Sequence, residues 1–251
     1  MIYFVGAGSG APDLITVRGA RLLSEADVIV YAGSLVNPAL LDYKKDGCEV
    51  YNSAKMTLEE VIAVMAPAAK AGKTVVRLHT GDPCVYGAHR EQMDELDRLG
   101  LAYEVCPGVS SFCGAAAALK AEYTLPNVSQ SVILTRMEGR TPVPEKEQIE
   151  SFAAHGATMV IFLSAGQLAR LSERLIAGGY ALDTPAAIVY KATWPDEKVV
   201  RTTVADLAEA GAREGITKTA LITVGGFLGT EYERSRLYDP TFTTEFREAS
   251  R

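Results

Sequence analysis

"TVVRLHTGDPCVYG", residues 74 to 87, joins an apolar run to a loop made of turn residues. The run "TVVRL" (74–78) reads as a strand buried on both faces, the kind that a parallel sheet uses. Gly81, Asp82 and Pro83 follow at once, so the loop leaves the carboxyl end of that strand, where open α/β sheets bind ligands. It has neither the Lys nor the Ser or Thr placement of a P-loop, so no nucleoside triphosphate is implied. One carboxylate is too few for a metal, and His79 has no second ligand near it in sequence. The loop does offer backbone N–H and C=O groups.

Outward from this loop the same form recurs. "IYFV" (2–5), "VIVY" (28–31) and "AYEVC" (102–106) read as strands, and helices are expected over 16–26, after Asn37 and Pro38, from Thr57 to Gly72 and over 89–100. Thr57 and Glu60 have capping-box spacing, and Pro67 should kink the helix they open. "PGVSSFCGAAAAL" (107–119) is a glycine turn into an alanine-rich helix, apolar nearly all round and therefore expected to be buried. Three strand ends thus carry small-residue loops: "GAGSGAPD", "HTGDPCVYG" and "CPGVSSF". Ser110 and Ser111 can cap the helix or present hydroxyl and N–H groups to a carboxylate.

Near "KAEYTLPNVSQ" (120–130) the periodicity lapses and restarts, which puts a domain junction between residues 1–120 and 121–251. The second half alternates again, with strands at 131–136, 158–163, 186–192 and 220–226, and "KVVRTTV" (198–204) placed to pair as an antiparallel hairpin. The expected fold class is α/β, two domains with mainly parallel sheets.

"VGAGSGA" (5–11) fits the G-x-G-x-x-A dinucleotide fingerprint, but Pro12 and Asp13 imply a longer loop before the helix. The second strand ends in "YAGS", without the acid that a nicotinamide ribose wants. A nicotinamide-dependent oxidoreductase is therefore the lesser reading.

Composition narrows the classes further. With 48% hydrophobic and 22% charged residues, the chain of 251 can bury a sizeable core. A net charge of −6 without a basic block disfavours nucleic acid. No run approaches the roughly 20 apolar residues of a membrane span, and "MIYFVGAGSG" reads as a strand rather than a signal peptide, so a cytoplasmic location is expected. Cys48, Cys84, Cys106 and Cys113 form no C-x-x-C pair, and neither a metal site nor a disulfide framework is expected. The three histidines give no Ser-His-Asp order, which suits an enzyme that positions a reactive cosubstrate. Arg18, Arg90, Arg136 and Arg140 lie nearest the loops and are candidates to meet an anionic substrate, although each alone also reads as a surface arginine.

"VGAGSGAPDLIT", "GDPCVYG" and "PGVSSF", in this order, resemble the tetrapyrrole (corrin and porphyrin) methylases, the class III methyltransferase fold. "EADVIVYAGSLVNPALL" (25–41), "YTLPNVSQSVILTRMEGRTPVP" (123–144), "VYKATWPDEKVVRTT" (189–203) and "SRLYDPTFTTEFR" (235–247) look like its precorrin-4 C11-methyltransferase branch, so the resemblance spans nearly the whole chain. Ser9 and Ala11 depart from the pattern, standing where the family commonly has proline and often aspartate. The resemblance implies S-adenosylmethionine in an inter-domain cleft, against Pro12, Gly81, Asp82, Val85, Ser111 and Phe112 of the first domain and Ser164, Ala192, Thr219 and Ala220 of the second. It further implies methylation of carbon 11 of precorrin-4 or its cobalt form, giving precorrin-5 and S-adenosylhomocysteine in cobalamin synthesis, by a homodimer. Arg90 and Arg136 are then candidates for the substrate's carboxylates, and Tyr86 for orienting the macrocycle or helping a proton leave. The alternatives are a sibling methylase acting on another corrin carbon, a protein or RNA, and a carrier that binds without methyl transfer.

Overall fold

The computed structural model describes residues 1–33 and 35–250; Ser34 and Arg251 lie outside the described residues. Two compact units emerge, one of residues 1–114 with 192–195, the other of 115–191 with 196–251.

In the first unit, β1 (Ile2–Gly6), β2 (Val28–Tyr31), β3 (Glu49–Asn52), β4 (Val75–His79) and β5 (Tyr103–Cys106) form one sheet in the order β3-β2-β4-β1-β5. Every pairing in it is parallel, and every residue of β4 is buried, as expected for a strand with both faces covered. The register sets Gly6 beside His79 and Val5 beside Cys106, so the three glycine loops leave one edge of the sheet together. Ile2, Phe4, Val28, Val30, Val75 and Met65 pack on one face, and Val5, Leu23, Ile29, Val76 and Leu78 on the other. Burying a side chain such as Phe4 is worth about 1.5–3 kcal/mol relative to leaving it exposed.

The helices follow their caps. α1 (Val17–Glu25) starts where the Thr16 hydroxyl accepts the Gly19 N–H, and α2 (Leu58–Lys70) starts with the Thr57–Glu60 capping box, both halves formed. α2 runs through Pro67 to Lys70, and α3 (Arg90–Arg98) follows β4. Three expectations are corrected. The segment after Asn37 is a short 3₁₀ turn, Pro38–Tyr43. β3 was not expected at all: it is a four-residue edge strand with no buried residue, too short and too polar to show a period. The alanine-rich α4 (Ser111–Leu119) buries Ala115 and Leu119 but exposes Cys113, because small side chains all round give the helix no preferred face.

In the second unit, β6 (Val132–Arg136), β7 (Thr158–Phe162), β8 (Pro185–Tyr190), β9 (Lys198–Thr203) and β10 (Ala220–Val224) take the order β6-β7-β10-β8-β9. Only β6–β7 is parallel among the described pairings here, and the expected β8–β9 hairpin is present. β10 enters antiparallel to both β7 and β8, so the parallel pairings of the molecule are concentrated in the first sheet. α5 (Ile149–Ala153), α6 (Leu168–Ala177) and α7 (Leu207–Arg213) supply the covering layer, with Leu171, Leu175 and Leu207 in the core. No helix of the described residues is long and apolar enough to cross a membrane.

Candidate functional site

The three glycine loops meet backbone to backbone. A Cβ placed on Gly6 would lie 2.6 Å from both Gly108 Cα and the Gly81 carbonyl, and one on Gly108 would lie 2.3 Å from that carbonyl. Gly81 holds φ at +61° and exchanges hydrogen bonds with Gly8, at 2.9 and 3.2 Å. Only glycine permits these approaches without moving a strand end.

Asp82 locks the arrangement. Its Oδ1 accepts the Cys84 N–H and its Oδ2 the Gly108 N–H, both at 2.8 Å, which joins the loop after β4 to the loop after β5. Burial works to raise this carboxyl, but the Cys84 and Gly108 donors, with His89 nearby, hold it below the usual range. A carboxylate engaged in this way shapes the loop. Val85 closes the turn through an N–H bond to the Asp82 carbonyl. Ser111 and Phe112 form the first turn of α4, and Gly81 faces Ser110 and the Ser111 nitrogen. Pro12 opens a 3₁₀ turn, Pro12–Leu14, which delays α1 to Val17 and so removes the helix start that the dinucleotide fingerprint needs.

Ala192 belongs with the first unit, which corrects its assignment to the second domain. The Thr193 hydroxyl accounts for the placement: it accepts the Ala11 N–H at 3.0 Å and bonds Ser9 Oγ at 3.1 Å. Ser9 thereby acquires a structural role. Trp194 packs on Gly10, where an added Cβ would come within 2.2 Å of its Cδ1. Sequence reasoning missed Thr193 and Trp194, although both lie in a quoted stretch.

In the second unit the Ser164 hydroxyl is already used, donating to the Phe162 carbonyl at 2.7 Å and accepting the Met137 N–H at 2.9 Å. The Thr219 carbonyl accepts the Lys191 N–H at 3.0 Å, and Ala220 begins β10. Left-handed backbone concentrates at these places. Tyr86, Ala88, Leu163, Lys191, Thr193 and Thr219 all have φ between +45° and +70° without being glycine, and each lies in or beside a loop singled out above. Strain of this kind persists where surrounding structure enforces it, commonly at ligand sites.

The two candidate arginines fare differently. Arg90 is exposed and paired with Asp94 at 2.8 Å. Arg136 donates to the carbonyls of Met137, Thr141 and Pro142 and so holds its own loop. Tyr86 is half exposed on the Asp82 loop.

The family profile of the tetrapyrrole (corrin/porphyrin) methylases matches residues 1–208. A relative from Methanocaldococcus jannaschii, a cobalt-precorrin-4 C(11)-methyltransferase, is 55% identical over 249 residues, covering 99% of this chain and 96% of its own. The X-ray structure of a cobalt precorrin-4 methyltransferase, described as a cobalamin biosynthetic enzyme, superposes with a TM-score of 0.89 at 51% identity, covering 91% of this chain and 96% of that one. A uroporphyrin-III C-methyltransferase from Thermus thermophilus, complexed with S-adenosyl homocysteine, gives 0.76 at 28% identity over 90% and 98%. With the profile covering its first 208 residues and such a relative nearly its full length, this chain belongs to the tetrapyrrole (corrin/porphyrin) methylases.

Proposed function

We propose that this chain is an S-adenosylmethionine-dependent methyltransferase that methylates carbon 11 of precorrin-4 or its cobalt complex, giving precorrin-5 or its cobalt form in cobalamin biosynthesis. The observation that carries the reading is the convergence of the Gly6, Gly81 and Gly108 loops on the first turn of α4, in a chain related over its length to cobalt-precorrin-4 methyltransferases. That convergence provides backbone donors and acceptors of the kind that a zwitterionic amino acid and a purine need. The cosubstrate brings its own activated methyl on a positively charged sulfur.

What remains for the protein is position and field. Gly81, Val85, Ser111 and Phe112 would hold the cosubstrate through backbone groups, with Pro12 and Ala192 beside them and Asp82 keeping the loop in shape. Ser164, Thr219 and Ala220 are proposed as further contacts, on the strength of their strand-end places and the strained backbone at Leu163 and Thr219. Tyr86 is proposed to orient the macrocycle or to help a proton leave, and Arg90 and Arg136 to attract its carboxylates. The working form is proposed to be a cytoplasmic homodimer, a state that sedimentation would read directly.

Calorimetric titration with S-adenosylhomocysteine, with NAD and NADP run in parallel, tests the cosubstrate. Binding of S-adenosylhomocysteine alone supports the reading, and binding of NAD alone overturns it. A methyl-transfer assay on precorrin-4 with and without cobalt then separates the two substrates, and a product methylated at another carbon would mark a sibling activity.

A further inference from the structure

A cavity of about 360 Å³, lined entirely by residues of the first unit, lies between β4, the start of α2 and the start of α3. None of the proposed cofactor residues lines it. Arg77 and His79 do, two places apart on β4 and so on one face of that strand, together with Thr57 and Gln92.

Arg77 is 6% exposed. Its Nε donates to Gln92 Oε1 at 3.0 Å and its Nη1 to the Val30 carbonyl at 3.1 Å, and no carboxylate among the described residues pairs with it. Burial lowers its pKa only to about 10, so it is charged at neutral pH. A buried cation without a counter-ion is costly and invites an anion.

His79 is 3% exposed. One ring N–H donates to the Gly87 carbonyl, and Nε2 has no partner among the described residues. In that tautomer Nε2 is a bare acceptor, whose proper complement is a proton donor. The charged and titratable groups around it are Arg77 on β4, His89 before α3, and the exposed Glu91 on α3; the α2 residues of the lining, Leu58 and Val61, carry none. Thr57, the α2 N-cap, adds a polar side chain to the wall, and the N-terminal end of that helix is already met by the carboxylates of Glu59 and Glu60.

The wall therefore asks for an anionic oxygen at Arg77 and a proton at His79. A carboxyl group answers both, placing an oxygen on the guanidinium and sharing a proton with Nε2. We propose that this cavity is a carboxyl-binding subsite in which Arg77 is the charge partner and His79 the proton-sharing partner, and that it receives one acetate or propionate arm of the tetrapyrrole. The identity of the arm rests on the function proposed above; the carboxyl site does not. The volume admits a short acid arm, and binding at Arg77 must outweigh the repulsion from the exposed Glu91 carboxylate in the lining.

The test uses the full chain labelled in its three histidines, with ring resonances followed by NMR during titration with sodium propionate. Saturable shifts of His79, strengthening as pH falls because binding takes up a proton, are expected, with the response lost in Arg77→Gln while S-adenosylhomocysteine binding persists. An unmoved His79, or propionamide saturating the site as tightly as propionate, overturns the proposal. The pH series on the unaltered protein decides the matter even where Arg77→Gln does not fold: affinity flat with pH counts against proton sharing. Uroporphyrin, which bears acetate and propionate arms, should compete with propionate at His79; failure to compete removes the tetrapyrrole arm and leaves the carboxyl site standing. Loss of S-adenosylhomocysteine binding with the propionate response intact would sink the methylase reading alone.

Discussion

Asp82 is the residue on which the candidate cofactor site turns, because its two oxygens hold two loops through the Cys84 and Gly108 N–H groups. Hydrogen bonds to a charged group contribute about 1.5–3 kcal/mol each. Asp82→Ala is expected to weaken S-adenosylhomocysteine binding by about tenfold to a hundredfold, with calorimetry as the readout; unchanged affinity would remove this loop from the site. His79 sets a pH dependence of its own. Burial, reinforced by Arg77 and His89, pushes its pKa down to about 3, whereas an unfolded histidine titrates at about 6.5. The unfolded chain therefore binds the proton first as pH falls. Stability is fully present above about pH 6.5 and is lost progressively toward pH 3, by up to about 1.4 kcal/mol per unit. Thermal melts of the unaltered protein should fall between pH 6.5 and 4 more steeply than those of His79→Gln, and parallel curves would show that another group governs acid sensitivity.

At the scale of elements, α2 carries the clearest local code. Thr57 accepts the Glu60 N–H at 3.3 Å while the Glu60 carboxylate accepts the Thr57 N–H at 2.8 Å. Thr57→Ala removes one half of this box and is expected to cost about 1 kcal/mol, read as a lower denaturation midpoint at unchanged slope. The box was legible because capping chemistry is local, and β4 was legible because a strand covered on both faces has no polar side to hide it. β3 was not legible, since an edge strand with no buried residue has nothing to set its pattern apart from loop. Nor was the direction of β10: an apolar run fixes burial, and its polarity is decided by where the chain returns, between β7 and β8. Arg77 and His79 did leave a readable signal, two polar residues at alternate places in an otherwise apolar strand, hence on one face within a buried layer.

At the scale of the whole molecule, the feature that sequence periodicity could not announce is residues 192–195, which leave one unit's sequence neighbourhood to become part of the other. Their place depends on Thr193 meeting Ser9 and Ala11, contacts separated by more than 180 positions and invisible to any local window. The glycine loops, by contrast, are legible locally because each is a strand end with its own composition. The return of this segment supplies a reporter. Trp194 is the single tryptophan of the chain and rests on Gly10, two residues from Pro12. Saturation with S-adenosylhomocysteine is therefore expected to change the intrinsic tryptophan emission. Thr193→Ala removes the hydroxyl that holds Ser9 and the Ala11 N–H, two bonds each worth about 1 kcal/mol, and should weaken that ligand by about tenfold while blunting the emission change. Emission that stays constant while calorimetry shows the ligand bound would mean that the Gly10–Pro12 turn lies away from the cofactor, and would leave the Asp82 loop to carry the site without it.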